Sequence, residues 1–177
     1  MSQKKKIVAI PKSIDDPFYR YSREITEIRY TKRNIELPNI DKVACALERD
    51  ITELCQFIKL KINRQIKIAE LDGKLSVTIP NFDTKELDVD IDDIVEDYIN
   101  KYVVCPDCKI PETRYKIKQK SVKIECKACG KLNQIDQISI LQGYFNNLMK
   151  KYKQEKKERK KLEKINHTIN KDTTKEQ

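Results

Sequence analysis

Apolar residues recur along this chain at two periods, and the switches between them lay out its elements. Residues 24–37 mix apolar and polar positions around Thr31-Lys32-Arg33-Asn34, which predicts a strand pair with a polar turn. Pro38-Asn39 interrupts. Ile40, Val43, Ala44 and Leu47 then fall at helical spacing, as do Leu54, Phe57 and Ile58 after Asp50, so two short helices follow. Ile66-Lys67-Ile68 and Leu75-Ser76-Val77-Thr78-Ile79 alternate strictly on either side of Asp72-Gly73, the residue pair a tight hairpin turn prefers. Over residues 90–101 the helical period returns. Ile91, Ile94, Val95 and Tyr98 line one face, and Asp92 and Asp93 suit the positive end of the helix dipole. Residues 140–149 predict a closing helix that runs on into residues 150–164.

These elements predict an α+β fold, with helices packed on a small, mostly antiparallel sheet, then a cysteine module and a basic helix. The expected organisation is a flexible N-terminal arm over residues 1–16, an α+β domain over 17–101, a metal ribbon over 102–140, and a basic helix with a disordered tail over 141–177. The tail is expected to fray over residues 171–177.

With 38% hydrophobic and 37% charged residues, the core must be modest and the surface heavily solvated. The net charge of +9 is unevenly placed. Residues 150–164 hold nine Lys/Arg against three Glu, and residues 165–177 sum to zero, so the remainder is only mildly basic. Lys150, Lys151, Lys153, Lys156, Lys157, Arg159, Lys160 and Lys161 are therefore candidate RNA or ribosome contacts. Such cations steer a protein to phosphate but read no sequence. A solvated helix supported by Glu–Lys pairs explains the same residues. No apolar run approaches the roughly 20 residues a membrane helix needs, and no apolar segment follows Met-Ser-Gln-Lys-Lys-Lys as in a signal peptide. A cytoplasmic protein without a membrane partner is expected.

In that compartment cysteines are metal ligands more readily than disulfides. Cys105-Pro106-Asp107-Cys108, seventeen residues, then Cys126-Lys127-Ala128-Cys129-Gly130 has the spacing of a zinc site. Two residues between ligands let one turn aim both sulfurs at a metal, and two such knuckles complete a tetrahedron. Gly130 stands where the chain leaving the second knuckle needs positive φ. Residues 114–117 and 122–125 are expected to pair as ribbon strands. A closed four-thiolate site leaves no open position, so one structural Zn2+ is expected, its charge of about −2 offset by Lys109, Lys127 and Lys131. Cys45 and Cys55 lie in predicted helices and read as small buried thiols.

Three glycines leave no phosphate-cradling loop. The sole histidine, His167, lies in the polar tail, away from any nucleophile it could activate. The chain is a poor candidate for an enzyme acting alone.

The run Tyr102-Val103-Val104-Cys105-Pro106-Asp107-Cys108-Lys109-Ile110-Pro111-Glu112-Thr113, with Cys126-Lys127-Ala128-Cys129-Gly130, resembles the family of eukaryotic translation initiation factor five. The beta subunit of initiation factor two shares that module. Phe18-Tyr19-Arg20-Tyr21 and Asn39-Ile40-Asp41-Lys42-Val43-Ala44-Cys45-Ala46-Leu47 extend the resemblance, which covers residues 14–140. Factor five is the nearer of the two, on Pro111-Glu112-Thr113, the second knuckle and the Phe-Tyr-Arg-Tyr run.

The resemblance implies a GTPase activator of a partner rather than an enzyme. The partners it implies are the GTPase (gamma subunit) of initiation factor two, the small ribosomal subunit, and initiator tRNA with ribosomal RNA, during start-codon selection. It casts Arg20 as an arginine finger and Phe18, Tyr19 and Tyr21 as residues that dock the arm. Guanidinium suits the task because it stays charged and presents forked donors to phosphate oxygens. The alternatives are a beta-subunit-like protein, a non-activating mimic that binds the initiation complex and shifts start-site choice, or a zinc-ribbon nucleic-acid module of other machinery. The chain departs from the family at Ser22-Arg23-Glu24, where Lys-Met-Pro is usual, at Asn34 and Gln56, which replace lysines, and at Lys61-Ile62-Asn63, which replaces a Glu-Leu-Gly turn. The family's C-terminal helical-repeat domain has no counterpart in these 177 residues.

Overall fold

In the computed structural model, which describes residues 6–71, 74–80, 90–118, 121–135 and 140–173, the segment expected as a flexible arm enters a strand at Ile7. Its β-branched run forms β1 (Ile7–Ala9), which pairs antiparallel with β2 (Ser22–Glu24), Ile7 opposite Glu24. Ile10 is buried, and the Lys12 backbone N–H donates to Glu96.

The strand pair expected over residues 24–37 is β3 (Arg29–Tyr30) with β4 (Asn34–Glu36). Its turn closes where the Thr31 N–H and hydroxyl both donate to the Asn34 carbonyl at 2.9 Å. The two predicted helices are α1 (Ile40–Ala46) and α2 (Ile51–Ile62). Asp50 caps α2 by accepting from the Thr52 N–H at 2.8 Å. The helix ends on Asn63 at φ +51°, so Lys61-Ile62-Asn63 makes its turn without a glycine because asparagine tolerates the left-handed region. Next come β5 (Lys67–Leu71) and β6 (Lys74–Pro80), paired with Ile68 opposite Val77. Their expected Asp72-Gly73 turn lies outside the described residues. The four-stranded sheet runs β3-β4-β6-β5, every neighbour antiparallel.

Asp90 caps α3 (Ile91–Tyr98), and the predicted stripe of Ile91, Ile94, Val95 and Tyr98 is buried. The helix then loosens into a π-helical turn over Ile99–Val103, closed by the Val104 N–H on the Ile99 carbonyl at 2.9 Å. The extra residue in that turn brings Ile99, Tyr102 and Val103 all inward and swings the chain toward the cysteine module. There β7 (Thr113–Lys118) and β8 (Ser121–Cys126) pair as expected, and β9 (Leu132–Gln134), which the sequence did not announce, adds a third strand beside β8. The last element, α4 (Gln142–Thr173), is helical to Thr173; residues 171–173, expected to fray, belong to it, and residues 174–177 lie outside the described residues.

One hydrophobic cluster serves all these parts. Ile35, Leu37, Val77 and Ile79 from the sheet meet Val43, Leu47, Leu54, Phe57 and Ile58 from α1 and α2, and Val122, Ile124, Leu141 and Phe145 join them. Its aromatic centre stacks Phe57, Tyr98 and Tyr102 with centroids 5.3–5.6 Å apart, and Phe145 closes on Tyr115 at 5.1 Å. Ribbon and α4 are thus rooted in the same core as the sheet.

The reading of the two remaining cysteines holds at one position and fails at the other. Cys55 is buried, but Cys45 is exposed, because the inward stripe of α1 is Ile40, Val43, Ala44 and Leu47, and Cys45 falls beside it. Burial pushes the Cys55 thiol up to about 12. His167 lies within α4.

Candidate functional site

Cys105, Cys108, Cys126 and Cys129 offer four sulfur atoms that all lie within 4.8 Å of one another. Two separations, Cys105–Cys129 at 3.8 Å and Cys108–Cys126 at 3.6 Å, approximate the edge of about 3.8 Å that a tetrahedron with metal–sulfur bonds of about 2.3 Å requires. The knuckles repeat one backbone design. The Lys109 N–H returns to the Cys105 carbonyl and the Gly130 N–H to the Cys126 carbonyl, both at 3.0 Å. Each knuckle then leaves at positive φ, +61° at Lys109 and +73° at Gly130. Gly130 meets the expectation; Lys109 makes the same turn with a side chain. The donor set is four thiols and nothing else, which suits a closed thiolate site for zinc. Of the three lysines expected to offset its charge, Lys131 pairs with Asp107 at 2.6 Å and Lys127 with Glu48 at 2.5 Å.

The module is fastened to the sheet domain by residues the sequence did not single out. Arg49, in the turn between α1 and α2, donates to the Thr113 carbonyl, the Thr113 hydroxyl and the Tyr102 carbonyl, each at 2.7 Å. Its guanidinium also lies 4.8 Å from the Tyr115 ring centroid. Behind it, Glu53 is 1% exposed and accepts from the hydroxyls of Tyr98, at 2.6 Å, and Tyr115. Burial raises the Glu53 carboxyl above its ordinary range, with the two tyrosine bonds only partly offsetting it.

The Phe18-Tyr19-Arg20-Tyr21 run sits on the loop between β1 and β2, beside the first knuckle. An Asp16 turn shapes it: the Phe18 N–H donates to the Asp16 carboxylate at 2.9 Å and the Tyr19 N–H to the Asp16 carbonyl at 3.1 Å. Phe18 projects into solvent, 93% exposed. Tyr19 and Tyr21 meet edge to face at 5.4 Å. The Tyr21 hydroxyl donates to Glu112 in the ribbon, and that bond, then burial, raises its own titration. Burial also raises Tyr19, and the Cys108 sulfur nearby adds to the shift. Arg20 is exposed, its guanidinium 5.0 Å from the Tyr21 ring centroid, at a cleft of about 220 Å³ that Ile10, Glu48, Pro111, Glu112 and Lys127 help line.

Immediately after the run, Arg23 turns the other way. Its side chain is fully buried and pairs with Asp92 through both nitrogens, at 2.6 and 3.3 Å. The Thr26 N–H donates to the same carboxylate at 2.8 Å, and Lys12 reaches it at 2.5 Å. Burial alone would raise the Asp92 carboxyl, but these donors outweigh it and hold it well below the usual range. Asp92 was expected only as a dipole partner, and the nearest sequence signal for its role is the departure at Ser22-Arg23-Glu24.

The tail cations lie elsewhere. Lys150, Lys151, Lys153, Lys156, Lys157, Arg159 and Lys161 are exposed on α4, and Lys160 belongs to the same helix. Among the described residues, no helix is long and apolar enough to cross a membrane.

Residues 11–132 match the family model described as a domain found in initiation factors two B and five. The chain is 28% identical over 145 residues to a eukaryotic translation initiation factor 5 of Dictyostelium discoideum, covering 78% of this chain and 34% of that protein. To the factor 5 of Zea mays it is 32% identical over 127 residues, 69% of this chain and 27% of that one. To that of Saccharomyces cerevisiae it is 28% identical over 126 residues, 68% and 30%. The chain thus spans about a third of the length of the curated relatives it matches.

Proposed function

The chain belongs to the family that carries the domain found in initiation factors two B and five, and from that premise we propose that it acts in translation initiation as a factor-five-like GTPase activator. Its target is the gamma-subunit GTPase of initiation factor two on the small ribosomal subunit, with initiator tRNA alongside. The chain supplies one residue to the partner's site and is not itself the enzyme.

The placement of Arg20 carries this reading. An arginine finger must be exposed, yet held by a framework stiff enough to direct it. Arg20 is exposed at a loop whose flanks are fixed, by the Asp16 turn before it and by Tyr21–Glu112 and Arg23–Asp92 after it. Brought to the terminal phosphate, its guanidinium would stabilise charge on the equatorial oxygens, an effect worth about 10³–10⁵ in rate for arginine fingers. Phe18, exposed at the tip, would enter an apolar pocket on the partner. The four thiolates would hold one Zn2+, which supplies folding energy to the ribbon and no chemistry to the reaction.

A second reading, a non-activating occupant of the same site, draws on the Arg20 guanidinium resting over the Tyr21 ring. Timing phosphate release from a GTP-bound initiation-factor-two complex on small subunits separates the two. The activator reading expects wild type to accelerate release and Arg20→Ala to abolish the acceleration. Equal rates for the two proteins end it, and competition with a factor 5 for the complex without acceleration is the mark of the occupant.

A further inference from the structure

Helix α4 changes character at one residue. Leu141 and Phe145 are fully buried and Tyr144, Leu148 and Met149 pack partly against the core, but from Lys150 on every described side chain of the helix is exposed. The exposed part is basic, and among its described side chains the glutamates keep off one face. Helix register sets Lys150, Lys153 and Lys157 at spacings of three and four residues along one face, flanked by Lys156 and Lys161. These lysines fall within an arc of about 140° and extend over roughly 16 Å of helix. Glu155 and Glu158 lie off that arc, as do Lys151 and Arg159.

Such a stripe works against the helix that bears it, because like charges three and four residues apart destabilise it. Solubility alone would be served by interspersing the signs. Among the described residues this face breaks the local rule with no ion pair to offset it, which points to a partner that brings the opposite charge.

We infer that this lysine face binds the phosphate backbone of RNA, without reading base sequence. The alternatives fit the face worse. A protein interface is built on aromatics, methionine and arginine and is depleted in lysine at its core, and none of those anchors lies on the stripe. A membrane-surface helix needs an apolar face opposite the basic one. Here the opposite side mixes Glu155 and Glu158 with Lys151 and Arg159, and its exposed apolar residues, Tyr152 and Leu162, stand roughly three turns apart. Phosphate asks only for point charges on a stiff rail, which lysines on a core-rooted helix provide. The inference does not depend on GTPase activation; family membership enters only in choosing RNA as the polyanion.

The test uses the full chain, a short RNA duplex of arbitrary sequence, and titrations from about 50 to 200 mM salt. One variant replaces Lys150, Lys153, Lys156, Lys157 and Lys161 together by glutamine. A second keeps composition and net charge, combining Lys153→Gln with Gln154→Lys and Lys157→Glu with Glu158→Lys, which moves two lysines off the stripe. Unchanged helical circular dichroism confirms folding. The glutamine variant is expected to flatten the salt dependence of log K by up to about 4.5, at about 0.9 per phosphate contact. The rearranged variant is expected to bind about fivefold more weakly at low salt. Wild-type affinity and slope in both variants overturn the inference, as does a polyglutamate peptide that binds the wild-type chain as tightly as the duplex does.

Discussion

The Tyr21 hydroxyl donates to the Glu112 carboxylate across 91 residues of sequence, joining the loop that carries Arg20 to the segment that leaves the first cysteine knuckle. Both partners come from runs that resemble the family, Phe-Tyr-Arg-Tyr and Pro-Glu-Thr, and in the fold they are two halves of one contact. The Lys127 N–H holds the Glu112 carbonyl from the second knuckle at 2.7 Å, so the seat beneath the arginine is the ribbon itself. Tyr21→Phe removes the bond and keeps the ring on which the guanidinium rests. If the seat directs Arg20, the variant should slow phosphate release by roughly ten- to a hundredfold, the scale on which small misplacements act, while its affinity for the initiation complex stays near wild type. A rate equal to wild type, where Arg20→Ala is slow, would show that the arginine needs no such seat.

The buried pair behind the loop makes a prediction about acid. The Asp92 carboxyl is held below its ordinary range in the fold, so the unfolded chain binds the proton more readily. The pair's stabilisation is therefore fully present above the unfolded aspartate value of about 3.9 and is lost as pH falls below it toward the depressed folded value. Denaturant melts of the wild type should weaken steeply below about pH 4. Arg23→Ala, which leaves Asp92 buried with Lys12 as its remaining ion-pair partner, should cost about 3–5 kcal/mol at neutral pH. It should also remove most of that acid-dependent loss. A melt with wild-type stability would mean that the pair contributes specificity and no net free energy.

Which of these features the sequence could disclose follows from their range. The α2 helix was legible because Leu54, Phe57 and Ile58 repeat within one turn and Asp50 caps locally. The four cysteines were legible because each knuckle is a closed local turn. Pairing of β1 with β2 was not, since three-residue strands carry too little alternation to set a register. Arg23–Asp92 and Tyr21–Glu112 join residues 69 and 91 apart, and nothing local marks a charge as destined for burial. Glu53 left one clue: it stands four residues before Phe57, on the face of α2 that turns inward. The short, polar β9 left none.

Arg49 makes a prediction about the joint between ribbon and sheet domain. Its three bonds of 2.7 Å to Thr113 and Tyr102 use the fork of a guanidinium, and the buried Thr113 also donates its hydroxyl to the Val103 carbonyl at 2.6 Å. Arg49→Lys keeps the charge but cannot span both carbonyls. It should destabilise the fold by about 2–3 kcal/mol, because at least one acceptor loses its donor. Amide exchange should speed first in β7 and at Tyr102. If lysine matches arginine in both stability and exchange, the geometry of the fork is not what holds the ribbon.

Thiol chemistry can read metal, burial and exposure in one titration. Cys45 is exposed and lies outside the cluster, so a metal-loaded chain should yield one fast thiol to a colourimetric disulfide reagent. Adding a chelator should release one zinc per chain and four further thiols, those of Cys105, Cys108, Cys126 and Cys129, as metal loss unfolds the ribbon. Cys55, whose thiol burial pushes up to about 12, has almost no thiolate at neutral pH and should stay silent until denaturant opens the core. The expected order is therefore one, four and one. If the four cluster thiols react as fast before chelation as after it, they hold no metal, and the ribbon must be stabilised by its strands and by Arg49 alone. If Cys55 appears with the four, loss of the metal opens the sheet domain too, the result expected if the shared core from Phe57 through Tyr102 to Phe145 makes ribbon and domain unfold as one unit.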